Sequence, residues 1–409
     1  MREITLHEHQ TSEPIALTLS QRDALAELIP SLVIQPFCGT NDRYLLTPGH
    51  VVGAVTLEDL ALVIQPKIPI DRVLFLISYA LHRRDWGPSD TALDKADSLV
   101  EAVVLSFTAH LRRTFRRGLL QGYRTEEDSL TTVRGRIRFA EQLKRSYGVA
   151  PPVEVIYDDF TEDVTENRIL KAALMKLRRL RIRSPEVRQS LRHFEYVLSP
   201  VSLVPLEPKN LPVIHFSRLN EHYRPAVELA ELILCNQSLE LRHGQFHGSA
   251  FLVDMNRVFE DFVYLSLRDS LELSSKQFRR PRQGLDLHLD IARRVNLEPD
   301  LSWWEQGRCV FVGDAKYKRI NVAGIKHPDL YQLLAYATAT DLRGGLLIYA
   351  AGEGIPARHE VVFAGKRLEV ASLDLQGTPT EILAEIKVLA GRVRAQRIEQ
   401  SHHSAGSSP

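Results

Sequence analysis

Two aspartates and a lysine in the last third of the chain are residue types that can hold a metal ion and act on a phosphate. They are Asp300, Asp314 and Lys316, and the last two flank Ala315. Side chains two residues apart on a strand share a face, so Asp314 and Lys316 are expected to point the same way. Carboxylate oxygens suit Mg²⁺, and an ammonium group beside them can orient an attacking water or neutralise an oxyanion. The pattern is therefore compatible with metal-assisted attack on phosphorus.

A β-hairpin is the predicted element that brings these side chains together. The apolar, β-prone residues 309–312 follow a turn predicted at 306–308, and the stretch before that turn begins at Pro299. A partner strand that starts near Asp300 would place a second carboxylate beside Asp314. By itself, an Asp-x-Lys pattern is equally compatible with a solvated strand face.

An amphipathic helix is predicted after the hairpin, over residues 329–340, with Asp329 as a cap. Gln332 and Tyr336 lie four residues apart on one face of it. A hairpin with Asp and Asp-x-Lys, followed by a helix with Gln-x-x-x-Tyr, resembles the RecB-like branch of the PD-(D/E)xK nucleases. The resemblance implies that Gln332 and Tyr336 sit beside the metal site and help to hold DNA.

The same resemblance assigns a role to a helix predicted upstream, within residues 249–271. Its apolar side chains form a stripe, and Glu260 falls off that stripe. In this nuclease fold the helix before the hairpin often carries an acid that faces the metal. Glu260 is therefore expected as an auxiliary metal ligand, and a solvated helix glutamate is the alternative.

Four further segments narrow the resemblance to the McrC family, the nuclease subunits of McrBC-type restriction systems. They occur in the family's order between about residues 50 and 350: LVIQPKIP (62–69), VRGRIRF (133–139), DFTEDVTENRILKAAL (159–174) and DMNRVFEDFV (254–263). The resemblance implies a Mg²⁺-dependent endonuclease that cuts methylcytosine-containing double-stranded DNA while docked on a McrB-type AAA+ GTPase, which it stimulates. Recognition of the modified base would then belong to the partner.

Three arginines surround Gly135 in a segment predicted as a strand over residues 131–139. They are Arg134, Arg136 and Arg138. The resemblance implies that this region contacts the AAA+ ring, and arginines that face phosphate can stabilise charge in phosphoryl transfer. Contact with a DNA backbone and a solvated strand face are the alternatives.

Composition limits the functional classes. The 409 residues include 52 basic and 51 acidic side chains, a net charge of +1, so any nucleic-acid surface must be a local patch. The three cysteines lie far apart and predict no disulfide framework. No signal peptide is visible and no apolar run reaches bilayer length, so a cytoplasmic location without membrane contact is expected. The chain has no G-x-x-x-x-G-K-[ST] motif, so a separate protein would have to hydrolyse the nucleotide.

The predicted fold class is multidomain α+β. Residues 1–70 form a β-rich N-terminal module, and residues 71–215 form a mainly helical partner-docking region that includes the basic strand. Residues 216–400 form an α/β PD-(D/E)xK restriction-endonuclease-like core, and residues 401–409 form a disordered tail.

Two other functional hypotheses stay open from the sequence. The first is an autonomous PD-(D/E)xK nuclease in DNA repair or recombination, which would need Mg²⁺ but no nucleoside triphosphate. The second is a non-catalytic activator of an AAA+ ring, in which the aspartates and the lysine are relics.

Overall fold

The computed structural model is that of a multidomain α/β protein with several sheets. It describes residues 2–40, 42–57, 59–80, 98–145, 151–207, 210–235, 249–280, 286–318, 327–350 and 357–406. Over these residues, no helix combines the length and the apolar character that crossing a membrane requires.

The described part of the chain contains ten α-helices. They are α1 (Leu19–Leu28), α2 (Ile70–Ala80), α3 (Leu99–Thr114), α4 (Phe139–Arg145), α5 (Thr165–Arg178), α6 (Pro185–Val197), α7 (Arg224–Cys235), α8 (Met255–Leu271), α9 (His327–Ala339) and α10 (Pro379–Gly406).

The described strands form four sheets. They are β1 (Arg2–His7), β2 (Ile15–Ala16), β3 (Val33–Pro36), β4 (Arg43–Thr47), β5 (Val51–Thr56), β6 (Leu60–Gln65), β7 (Gly122–Leu130), β8 (Arg136–Ile137), β9 (Val153–Thr161), β10 (Ser249–Asp254), β11 (Phe278–Arg279), β12 (Leu301–Glu305), β13 (Arg308–Lys316), β14 (Gly344–Ala350), β15 (Ala357–Glu360) and β16 (Arg367–Leu373). The sheet orders are β1-β6-β5-β10, β11-β12-β13-β14-β16-β15, β2-β4-β3 and β7-β9-β8.

The chain divides into two compact units, each assembled from separate segments. One contains residues 1–4, 53–63 and 95–252, and the other contains residues 5–52, 64–94 and 253–409. This grouping differs from the boundaries predicted after residues 70 and 215. Composition and proline content reveal linkers between consecutive segments, whereas these units are defined by contacts between segments far apart in sequence.

The second unit contains the six-stranded sheet. Its centre is parallel, because β13 pairs with β14 and β14 pairs with β16 in the same direction. The β12–β13 hairpin is antiparallel and turns at Gln306 and Gly307, both with positive φ (49° and 82°). Such two-residue turns match the twist of the flanking strands. Helix α9 covers β13, since Tyr336 and Ala337 pack in one buried cluster with Val312.

The first unit combines helices with the three-stranded β7-β9-β8 sheet. Helix α5 buries an apolar face that includes Ile169, Leu170 and Leu177. Its N-cap is Val164, and Thr165 is the first helical residue.

The strand predicted over residues 131–139 is largely wrong. Only Arg136 and Ile137 pair with β9, and Phe139 already begins α4. Gly135 interrupts the extended backbone with a φ of +72°, and a Cβ atom at this position would lie 2.4 Å from the Ile156 carbonyl oxygen. The glycine is therefore required where the chain approaches β9 closely.

Other expectations fail at element ends. Residues 249–254 form β10 instead of the first turns of α8. The tail predicted to be disordered from residue 401 continues α10 through Gly406, because no proline interrupts that run, and residues 407–409 lie outside the described part. Helix α10 begins with a capping box, in which the Thr378 Oγ1 accepts from the Glu381 amide at 3.3 Å and Glu381 accepts from the Thr378 amide at 2.6 Å.

Candidate active site

The hairpin register places the two predicted aspartates side by side. Leu301 of β12 pairs with Gly313 of β13, so Asp300 lies beside Asp314 at the same end of the hairpin. The Asp300 Oδ2 atom accepts a hydrogen bond from the Ala315 amide at 3.0 Å. This contact ties the carboxylate to the strand that carries Asp314.

Asp314 is almost completely buried, with 1% of its surface exposed. Lys316 is on the same face, and its Nζ lies 2.6 Å from the Asp314 Oδ2. The Lys316 ammonium is therefore the partner of Oδ2, whereas the buried Oδ1 has no hydrogen-bond partner among the described residues. Leaving a buried acceptor unsatisfied costs about 1–3 kcal/mol, which marks this carboxylate as one that awaits a further partner.

The pKa shifts follow from crowding three acids and one base into a buried space. Burial and the adjacent charge of Asp314 raise the pKa of Asp300. Burial opposes the charged form of Lys316, but Asp314 and Asp300 outweigh it and raise the pKa of its ammonium. Burial also raises the pKa of Glu260 on α8 to about 7; Lys316 opposes this rise and Asp314 adds to it. Glu260 therefore lies within electrostatic reach of both residues.

The donor set fits a hard divalent cation with few protein ligands. Among the described residues, no group of three or more His, Cys, Asp or Glu side chains is arranged to hold a metal ion. Mg²⁺ is commonly held by one or two carboxylates and several waters, so Asp300 and Asp314 satisfy that requirement as a pair. The auxiliary role of Glu260 stays a prediction.

Gln332 and Tyr336 lie on α9 and contact each other. The Gln332 Nε2 donates to the Tyr336 Oη at 2.6 Å, and the Tyr336 hydroxyl donates to the Glu298 carbonyl oxygen at 3.0 Å. Because Glu298 lies two residues before Asp300, the pair braces the start of β12. Burial raises the pKa of Tyr336, and the charges of Asp314 and Asp300 add to this rise. Gln332 itself is exposed.

Sequence reasoning missed an ion pair next to the site. Asp329 was expected to cap α9, but the helix begins at His327 and Asp329 lies buried in its first turn. Its carboxylate accepts from the Lys318 Nζ at 3.2 and 3.3 Å and from the Tyr349 hydroxyl at 2.8 Å. The charge of Asp329 also contributes to the raised pKa of Lys316. Lys318, the second lysine of Asp-Ala-Lys-Tyr-Lys (314–318), was the sequence feature that could have indicated this ion pair.

The three predicted arginines lie in the other unit and differ in their contacts. Arg134 pairs with Asp159 at 2.6 Å and stacks over the ring of Tyr157. Arg138 pairs with Glu127 at 2.8 Å. Arg136 is exposed, and no ion pair is found for it within the described residues. Their contact with a partner or with DNA stays a prediction.

Comparison with known proteins identifies the family. A family model described as McrBC 5-methylcytosine restriction system component matches residues 46–350. The chain belongs to this family. The McrC resemblance found in the sequence is thereby confirmed.

Relatives of this McrBC component agree in sequence and fold. The chain is 22% identical over 315 residues to the type IV methyl-directed restriction enzyme EcoKMcrBC of Escherichia coli K12, covering 70% of this chain and 86% of that one. Its fold is similar to a chain in the tetradecameric assembly of Thermococcus gammatolerans McrB AAA+ hexamers with bound McrC. The TM-score is 0.64 at 18% identity, over 96% of this chain and 100% of that chain. A second match is to the McrBC complex of the same organism, with a TM-score of 0.45 at 22% identity, over 66% of this chain and 88% of that chain.

The raised pKa values predict pH-dependent metal binding. In the metal-free chain Glu260, with a pKa of about 7, and Asp300 hold protons at a pH where ordinary carboxyls are ionised. Metal ligands must be deprotonated, so the affinity for Mg²⁺ is expected to rise as the pH increases from 6 to 9, with release of protons. Calorimetric titrations in buffers of different ionisation enthalpy measure both quantities. A pH-independent affinity without proton release would contradict the expectation.

The same raised pKa values determine whether the folded chain becomes more or less stable as the pH rises. Acids whose folded pKa lies above the unfolded value bind protons more tightly in the folded chain, so their contribution to stability is greatest at low pH. It declines as the pH rises above about 4 and through the raised values. Mg²⁺ should reverse this loss, which thermal unfolding with and without the ion would detect.

Proposed function

We propose that this chain is the Mg²⁺-dependent DNA endonuclease subunit of a McrBC-type restriction system, with a PD-(D/E)xK nuclease core. The observation that carries the proposal is the buried pair of carboxylates, Asp300 beside Asp314, with the Lys316 Nζ 2.6 Å from the Asp314 Oδ2 and no hydrogen-bond partner for the Asp314 Oδ1 among the described residues. Membership of the McrBC component family supports the same conclusion.

Each side chain of the site has a proposed role. Asp300 and Asp314 hold the metal ion, and Glu260 on α8 assists them. A bound Mg²⁺ supplies positive charge against the scissile phosphate and lowers the pKa of water. Lys316, with its raised pKa, stays protonated at neutral pH, so it can orient the attacking water and neutralise charge that develops on the phosphate.

The neighbouring residues support this chemistry without being ligands. The hydroxyl of Tyr336 holds the Glu298 carbonyl oxygen, which keeps the start of β12 and hence Asp300 in place. Gln332 is exposed beside Tyr336, and its amide can contact a DNA backbone. The substrate is double-stranded DNA that contains methylcytosine.

The proposed partner is a McrB-type AAA+ GTPase. A complex of McrB AAA+ hexamers with bound McrC contains a chain of the same fold, which supports this choice. We place the contact on the three-stranded β7-β9-β8 sheet. Arg136 is exposed and has no ion pair among the described residues, whereas Arg134 pairs with Asp159 and Arg138 with Glu127. Arg136 is therefore the candidate for stimulating GTP hydrolysis.

The deciding experiment is a plasmid cleavage assay with the purified chain and Mg²⁺. Methylated and unmethylated plasmids are compared, with and without the McrB-type GTPase and GTP. Cleavage only of methylated plasmid, and only with the partner and GTP, is the expected result. Cleavage by the chain alone would support an autonomous nuclease. Stimulated GTP turnover without any DNA cleavage would support a non-catalytic activator.

A further inference from the structure

The segment LVIQPKIP, residues 62–69, has no role in the site described so far, although it carries part of the family resemblance. Its lysine, Lys67, follows β6 and reaches the residue after the catalytic lysine. The Lys67 Nζ lies 3.6 Å from the centre of the Tyr317 ring and donates to the Tyr317 carbonyl oxygen at 3.3 Å. Because Tyr317 directly follows Lys316, the contact acts at the end of β13.

A buried glutamate completes this cluster. Glu8, which follows β1, has a fully buried side chain and accepts a hydrogen bond from the Lys67 amide at 3.2 Å. It also accepts from the Tyr317 hydroxyl at 3.4 Å, and its other oxygen lies 3.9 Å from the Lys67 Nζ. A buried polar group needs hydrogen-bond partners, and the Lys67 amide and the Tyr317 hydroxyl supply them to Glu8. We call these three residues the Glu8–Lys67–Tyr317 cluster.

The end of β13 is paired with a neighbouring strand on one side. Its pairing with β12 ends at Gly313, and beyond that residue the described part of the chain pairs it with β14, as far as Lys316. On the other side, side-chain contacts hold it, and one of these is the Asp300 carboxylate on the Ala315 amide. The cluster adds contacts at Tyr317, the residue that directly follows the strand.

The cluster also reaches the helix that carries Glu260. The Tyr317 ring packs against Phe259 of α8, with ring centroids 5.9 Å apart. Phe259 is fully buried and immediately precedes Glu260. Tyr317 therefore follows Lys316 directly in the chain and packs against Phe259, the residue before Glu260. It connects the end of β13 with α8.

We propose that Lys67 and Glu8 are positioning residues which, through Tyr317, hold the end of β13 and thereby place Lys316 for catalysis. The catalytic consequence rests on the proposed function, whereas the positioning of the strand does not. Lys67 and Glu8, which lie 250 and 309 positions before Tyr317, thus belong to the support of the nuclease motif. A nuclease core that begins at residue 216 would lack both of them.

The test replaces Lys67 with methionine, which keeps the length of the side chain but removes the charge and the donors. Lys366→Met is the matched control, because the Lys366 Nζ also donates to two backbone carbonyl oxygens, those of Ala337 and Leu342, at 3.3 and 2.7 Å. Like Lys67, Lys366 is half-buried. It belongs to the same unit but contacts none of the proposed catalytic residues.

Two readouts are measured in the full chain and in its complex with the McrB-type GTPase. Hydrogen–deuterium exchange of peptides that contain residues 312–318 should be faster in Lys67→Met than in Lys366→Met. The single-turnover cleavage rate should fall about 10- to 100-fold in Lys67→Met, since small misplacements of a catalytic group have effects of this size. The DNA concentration at half-maximal rate should stay unchanged, and Lys67→Arg should recover part of the rate.

A gentler variant keeps the proposal testable if Lys67→Met fails to fold. Tyr317→Phe removes only the hydroxyl that donates to Glu8, and it should shift exchange and rate in the same direction by a smaller amount. Equal exchange in the Lys67→Met, Tyr317→Phe and Lys366→Met variants would overturn the proposal. If the wild-type chain cuts no DNA, the proposed function fails, and the exchange comparison still decides whether the cluster positions β13.

Discussion

Asp314→Asn is expected to lower DNA cleavage by about 1000-fold or more, because removing a charge that a metal ion must balance forfeits several kcal/mol of transition-state stabilisation. Asparagine fills the same volume, so the hairpin and the surrounding packing should persist. The buried Asp314 carboxylate, whose Oδ2 lies 2.6 Å from the Lys316 Nζ, is the group that loses its charge. The measurement is single-turnover cleavage of methylated plasmid by the complete complex.

The control for this variant is Asp341→Asn. Asp341 is an exposed residue of the same unit with a φ of +54°, a conformation that asparagine tolerates well. The Asp341→Asn variant should cut DNA at the wild-type rate. Both variants should still bind the McrB-type GTPase and stimulate its GTP hydrolysis. Cleavage by the Asp314→Asn complex at the wild-type rate would show that the metal ligands have been wrongly assigned.

Lys316→Met is expected to lower the cleavage rate about 100- to 1000-fold, which is the usual effect of losing one group that stabilises developing charge. Its effect differs from that of Asp314→Asn, since both carboxylates remain and Mg²⁺ should still bind. Calorimetric titration with Mg²⁺ beside the rate measurement separates the two roles. A variant that loses the rate but keeps the metal places the lysine in the chemical step.

A second lysine provides the comparison for Lys316→Met. Lys318 lies two residues further on and pairs with Asp329, so Lys318→Met removes a neighbouring positive charge. Its expected effect is smaller than that of Lys316→Met, because its ammonium is held by Asp329 and not by Asp314. If Lys318→Met abolishes cleavage while Lys316→Met leaves it intact, the catalytic lysine has been wrongly identified.

The charge balance of the site explains why these effects should be large. Asp300, Asp314 and Glu260 face one cation, Lys316, in a space from which most solvent is excluded. Without a metal ion, this excess of acidic groups raises the pKa values of Asp300 and Glu260 and favours their protonated forms. A divalent cation would favour the ionised forms instead. Under the proposed function, a divalent cation would replace the protons that Asp300 and Glu260 hold in its absence.

Local patterns predicted the elements that carry the chemistry. The turn at Gln306 and Gly307 and the β-prone residues after it indicated the hairpin, and helical spacing indicated α9. These signals are readable from sequence because hairpin turns and helix periodicity depend on neighbours within a few residues. The positions of Asp314 and Lys316 on one strand follow from the same local geometry.

Local patterns failed where strands are stabilised by distant partners. Strands β7 and β9 pair over nine residues each, yet no strand was predicted there. The sequence of β7, GYRTEEDSL, is polar and lacks the alternation that marks a half-buried strand. Its extended conformation depends on hydrogen bonds to β9, which lies about 30 residues away in the chain.

The sequence alone determined which residue types form the candidate site, since the hairpin, the Asp-x-Lys strand and the Gln-x-x-x-Tyr helix are encoded over short spans. Only the tertiary structure decided what surrounds them. Asp329 became the partner of Lys318 and Tyr349, and Glu8 and Lys67 came to lie against Tyr317. Such pairings are set by how distant segments pack around a common core, and neither periodicity nor propensity carries that information.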